Sequence, residues 1–162
     1  MPHSRSLLRV ARRLTSDPVE AEDLVQETLL LAWRNFRQFR AGTDVRAWLF
    51  RILFNCFYTQ ARRKRAVPRT VSVSFAGTDA WSESAAASAV FESIDVTRAL
   101  AALQVEHRTV LLLGVVEGFT CREMADILSV PFGTVMSRLS RARDALRSQL
   151  TCMAKCAGKG AL

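Results

Sequence analysis

Leu7, Leu8, Val10, Ala11 and Leu14 recur at helical spacing and make one apolar stripe near the start of the chain. The stripe stops at Thr15-Ser16-Asp17-Pro18, where Asp17 is placed to cap a second helix and Pro18 to fill its first position. Glu20 then stands where a capping box would put it. This helix is expected to run to about Phe36, with Ala21, Leu24, Val25, Thr28, Leu31 and Ala32 on one face. A turn over Arg40–Thr43 contains Gly42, and a long helix follows from Asp44 to about Lys64, ending before Pro68. Trp48, Leu49, Ile52, Leu53, Cys56 and Phe57 give it a high apolar content.

The pattern then lapses. From Pro68 to about Ala89 the chain is Ser, Ala, Thr and Gly with few large apolar residues, which reads as a mobile acidic linker over 68–92. Helical periodicity returns over Phe91–Leu103 and Glu106–Val116, with Gly118 as a stop signal. Thr120-Cys121-Arg122-Glu123 fits a capping box opening a helix to about Leu128. After a break at Ser129–Phe132, a last helix is expected from about Gly133 to Leu150, leaving 151–162 as a tail. A short helix, a tight turn and a longer basic helix make the helix-turn-helix pattern. Ala125 is small where two such helices approach, and Ile127, Leu128, Val130, Val135 and Leu139 can bury together. The expected fold is all-α: two small helical domains, 1–67 and 93–150, joined by a flexible linker.

Composition sharpens this reading by location. The 162 residues carry 23 Lys and Arg against 15 Asp and Glu, a net charge of +8. Residues 34–65 alone carry nine basic side chains against Asp44, whereas 1–33 sum to −1 and 68–97 to −3. No apolar run reaches the roughly 18 residues of a bilayer span. The N-terminus, broken by Arg5, Arg9, Arg12 and Arg13, lacks a signal-peptide core. A cytoplasmic protein without membrane insertion is expected. Cys56, Cys121, Cys152 and Cys156 include no C-x2-C pair and read as free thiols of a reducing compartment, although Cys152 and Cys156 could share a helix face.

Catalysis has little support. Glu20, Asp23 and Glu27 can share a helix face, but no matching His or carboxylate stands elsewhere, and first turns favour acids through the helix dipole. His3 and His107 lack an attached nucleophile motif, and there is no glycine-rich phosphate loop. The expectation is no enzyme, no metal and no cofactor. Binding has more support, because Arg alternates with aromatics from Trp33 to Arg65. Phosphates need the cations, and unstacked bases need flat apolar faces worth roughly 1–3 kcal/mol each. Trp33 and Phe57 are expected in the core, and the aromatics beside the Arg40–Asp44 turn at a nucleic-acid strand.

The strings DPVEAEDLVQETLLLAWRNFRQF, AWLFRILFNCFYTQARRKR and EGFTCREMADILSVPFGTVMSRLSRARDAL together resemble a bacterial sigma factor of the extracytoplasmic-function (ECF) group, within the sigma-70 family. Residues 7–65 are similar to region 2 and 94–150 to region 4, and FRAGTDVRAWLFRILFN is similar to the alphaproteobacterial general-stress branch. The resemblance implies core RNA polymerase as partner, through the β′ clamp helices and the β flap, together with promoter DNA and an anti-sigma factor. It implies polymerase docking by Glu22, Asp23, Leu24, Gln26 and Glu27. It assigns −10 recognition and melting to Arg40, Thr43, Asp44, Arg46, Trp48, Asn55, Arg62, Arg63 and Arg65. It places Gly133, Thr134, Met136, Ser137, Arg138, Ser140 and Arg141 at the −35 element, with Gly133 leaving room for phosphates at a helix N-terminus.

Three positions depart from the family's habit. Met136 stands where relatives often place Lys or Arg, Thr59 where many carry Asp, and Ser129 where Gly is common, a change that a negative φ would accommodate. The implied function is an alternative sigma factor that selects and opens promoters. The competing readings are a sigma-like protein that sequesters an anti-sigma factor, and a plain helix-turn-helix regulator. The first would dispense with the dense basic-aromatic surface; the second leaves the acidic DLVQET helix without a task.

Overall fold

The computed structural model describes residues 3–15, 17–40, 42–66 and 96–157, all helix or short connection, in two compact units divided between Glu83 and Ser84. The linker expected over 68–92 lies outside the described residues.

In the first unit α1 spans Ser4–Leu14, α2 spans Pro18–Arg34 and α3 spans Val45–Ala66, and α2 packs against both others. Asp17 caps α2, its carboxylate accepting from the Val19 N–H at 2.8 Å, and Pro18 opens the helix as its sequence demands. Glu20 does not complete a capping box. Its carboxylate is drawn instead to Lys64 at the far end of α3. The α-helix ends at Arg34, two residues short of the expected limit, where the Asn35 side-chain amide also donates to the Leu31 carbonyl at 2.9 Å. A 3-10 turn, Phe36–Gln38, then redirects the chain. Leu7, Val10, Ala11 and Leu14 meet Ala21, Leu24, Val25 and Ala32, and Leu49, Phe50, Leu53, Phe54 and Cys56 complete the core. Thr28 is a buried polar member, satisfied because its hydroxyl donates to the Leu24 carbonyl at 2.7 Å.

In the second unit the described residues open with helical residues 96–101 (α4), followed by α5 at Val105–Leu111, α6 at Cys121–Leu128 and α7 at Phe132–Ala157. The expected helix to Val116 changes type at Leu112: Leu112–Val116 is a π-helical turn, closed by the Glu117 N–H on the Leu112 carbonyl. Gly118, at φ +72, then reverses the chain. Arg108 fastens α5 to the end of α4, its guanidinium donating to the Ala101 and Leu103 carbonyls. The Thr120 capping box forms as expected, with Glu123 returning the bond to the Thr120 N–H. Met124, Ile127, Val135, Leu139 and Ala142 close the core between α6 and α7, beneath Val110–Leu113 of α5 and the π turn. Leu128 and Val130 stay half-buried at its margin. The last helix passes its expected end at Leu150 and continues to Ala157.

Candidate functional site

Three surfaces carry the residues singled out above. The first is a ridge on α2. With Ala21, Leu24, Val25, Thr28 and Ala32 turned into the core, helical register puts Val19, Glu22, Asp23, Gln26, Leu30 and Trp33 on the opposite side, and all six are exposed. Leu24 is fully buried, so it cannot touch a partner; it holds the ridge in place. Glu27 sits on the flank and accepts a 2.7 Å hydrogen bond from Gln60 of α3. Glu22 lies 3.5 Å from Arg12 of α1, an exposed and weak pair. Trp33 corrects the core assignment made from sequence: it is 79% exposed, with Leu30 beside it. The ridge is thus acidic in the middle and apolar at both ends. The missed signal was register, because Leu30 and Trp33 continue the 19, 22, 26 stripe rather than the 21, 25, 28, 32 stripe.

The second surface is the turn before α3 and the exposed side of that helix. Gly42 takes φ +95, a conformation that an L side chain resists. Thr43 donates its hydroxyl to the Arg40 carbonyl at 2.7 Å, and Asp44 accepts from the Arg46 N–H at 2.8 Å. Thr43 and Asp44 therefore build the turn and cap α3. Above it Phe36, Phe39 and Trp48 form an aromatic cluster, with ring centroids 6.0 Å apart for Phe36 and Phe39 and 5.2 Å for Phe39 and Trp48. Phe36 is 62% exposed, so the cluster offers a ring face to solvent.

Trp48, Arg51, Asn55 and Arg62 share one side of α3 by helical spacing, and Arg62 and Arg63 are exposed at its end. Arg46 falls outside this group, its guanidinium lying 5.9 Å from the centroid of the buried Phe50 ring. The Arg65 side chain lies outside the described residues. Phe57 is half-buried, short of the core position expected for it.

The third surface is α7. Val135, Leu139 and Ala142 point inward, which leaves Gly133, Met136, Ser137, Ser140 and Arg141 exposed. Thr134 and Arg138 are half-buried on the flank, and Arg138 has no carboxylate partner among the described residues. Ser137 donates its hydroxyl to the Thr134 carbonyl at 3.0 Å. The turn ahead of α7 departs from expectation, because Ser129 adopts φ +53 rather than a negative φ. Its N–H closes α6 on the Asp126 carbonyl and the Val130 N–H returns to Ala125. Burial of Ile127 and Val135 on either side holds Ser129 in that strained region.

Among the described residues no group of His, Cys, Asp or Glu is arranged to hold a metal ion, and no helix is long and apolar enough to cross a membrane.

Comparison with known proteins assigns both units. Residues 1–67 match the family model for Sigma-70 region 2 and residues 93–146 that for Sigma-70, region 4. The ECF RNA polymerase sigma factor SigL of Mycobacterium tuberculosis is 36% identical over 149 residues, covering 91% of this chain and 84% of the relative. The chain belongs to the ECF group of the sigma-70 family. Among solved structures, the sigma factor RpoE of Bartonella quintana, in complex with the anti-sigma factor NepR, is 32% identical with a TM-score of 0.70 over 91% of each chain. CnrH, in complex with the cytosolic domain of CnrY, is 26% identical with a TM-score of 0.68, covering 93% of this chain and 84% of that one. As a sigma factor, the protein supplies promoter recognition for transcription initiation. Region 2 carries the α2 ridge and the aromatic-basic face of α3, and region 4 carries α7.

Proposed function

We propose that the α2 ridge docks on the β′ clamp helices of core RNA polymerase, that the Phe36–Trp48 cluster and the open side of α3 capture the −10 element, and that α7 enters the major groove at the −35 element. The observation that carries this reading is the division of region 2 by helix face. One side of α2 presents exposed carboxylates between apolar ends, suited to a basic helical partner, whereas α3 presents cations around an aromatic platform. An unpaired base stacked on that platform offsets an unpairing cost of a few kcal/mol, so opening needs no nucleotide hydrolysis and the protein acts as no enzyme. Trp48 and Asn55 hold bases, and Arg62, Arg63 and Arg65 grip phosphates.

In region 4, Gly133 leaves the N-terminus of α7 open to a phosphate, and Arg141 supplies a cation in the groove. The β flap is the polymerase partner of this unit. An anti-sigma factor holds the protein inactive in the cytoplasm; the NepR and CnrY complexes of similar chains support this.

The test is reconstitution of the full chain with bacterial core polymerase on a promoter library. Specific transcripts are expected. Asp23→Lys weakens core binding, whereas Arg141→Ala leaves core affinity unchanged and weakens discrimination at −35 by roughly 1–3 kcal/mol. If both substitutions give one and the same defect, the division of labour is wrong.

A further inference from the structure

The exposed face of α7 contains a chemical mismatch. A helix built to grip a polyanion would be expected to place polar or basic side chains outward, yet Phe132 is 50% and Met136 is 48% exposed. They stand four residues apart and therefore share a flank, with Ser140 one turn beyond. Neighbouring groups leave little competition for base edges along this strip. Gly133 has no side chain, and the Ser137 hydroxyl proton is already given to the Thr134 carbonyl at 3.0 Å. Arg141 lies on the opposite flank by helical register, and the exposed Arg143, on the flank of Met136, stands two turns further along the helix.

An unbranched thioether bends to fit a shallow apolar target and cannot donate a hydrogen bond. The major groove presents one such target, the C5-methyl group of thymine.

Resting on the proposed entry of α7 into the −35 major groove, we infer that Met136 is a specificity-determining residue that reads a thymine by its methyl group. A cation at position 136 would select guanine, through its O6 and N7 acceptors. Met136 removes that option and replaces it with an apolar contact. The −35 preference is therefore set at this position by desolvation of a methyl group.

Holoenzyme formed from the full chain and bacterial core polymerase first selects promoters from a library randomised over the −35 element. The selected promoter is then remade with deoxyuridine in place of one thymine at a time, which deletes the methyl group and keeps base pairing. One position is expected at which this change weakens wild-type binding about four-fold, the loss of one buried methyl. Met136→Ala holoenzyme is expected to be insensitive at that position, with an unchanged thermal midpoint, and Met136→Arg to shift selection there toward guanine.

A selected element with no thymine on either strand, or no thymine sensitive to the change, overturns the inference. So does equal sensitivity in Met136→Ala. Selection that returns random sequence at −35 while −10 specificity persists is a different failure: it removes the recognition-helix reading and this inference together.

Discussion

Lys64 Nζ donates to Glu20 Oε1 at 2.5 Å, joining the last turns of α3 to the first turn of α2 across 44 residues of sequence. A residue that local pattern assigns to a helix cap is committed to a tertiary pair. Both side chains remain substantially exposed, which limits what the pair contributes. Glu20→Gln is expected to lower stability by no more than about 1 kcal/mol, and the difference to shrink with added salt. Thermal denaturation of both proteins at low and high ionic strength measures this. A salt-independent loss would show that Glu20 acts some other way.

Leu24 keeps the inward place that helical periodicity gives it, while Trp33 leaves the core for the surface of α2. Leu24→Ala empties a fully buried position and should cost about 2–5 kcal/mol of stability. Trp33→Ala alters an exposed position and should change stability by less than about 0.5 kcal/mol. Its expected effect is on association: affinity for core polymerase falls several-fold while the denaturation curve stays in place. Chemical denaturation paired with a core-binding titration separates the two.

Ser129 holds a left-handed conformation that favours glycine. Ser129→Gly should stabilise region 4 by roughly 0.5–1 kcal/mol, the relieved strain exceeding glycine's greater freedom when unfolded. A β-branched Ser129→Val should do the reverse. Urea denaturation of the series gives the sign, and no gain from glycine would mean that the backbone there is not strained.

Cys56 is buried in the core of region 2, and burial first, then the nearby Glu27 carboxylate, pushes its thiol pKa up. The folded state therefore resists losing this proton more than the unfolded state does. Its contribution to stability is intact below the ordinary thiol pKa of about 8.5 and declines as pH rises through that value toward the raised folded one. Iodoacetamide should label the exposed Cys152 readily and Cys56 only on unfolding. Equal labelling rates in the native protein would contradict the burial.

Much of the architecture was legible along the chain because its signals are local. Asp17-Pro18, the Thr120–Glu123 capping box and Gly118 mark helix ends through bonds made within a few residues. The family strings are equally local, since each lies within one or two helices. The inward side of α7 was also legible, since Val135 and Leu139 are buried as the apolar pattern suggests.

An all-helical chain with a basic, aromatic middle and a helix-turn-helix near its end could be read from residue order alone, because periodicity, capping chemistry and charge are properties of neighbouring residues. The tertiary structure was needed to show that Glu20 belongs to Lys64 and that Thr43 and Asp44 build a turn. It also decided that Ser129 sits at positive φ. Which partner a side chain takes, and which strain is tolerated, depends on what α1, α3 and α6 place against it. Those contacts join residues far apart in sequence, and no local pattern encodes them.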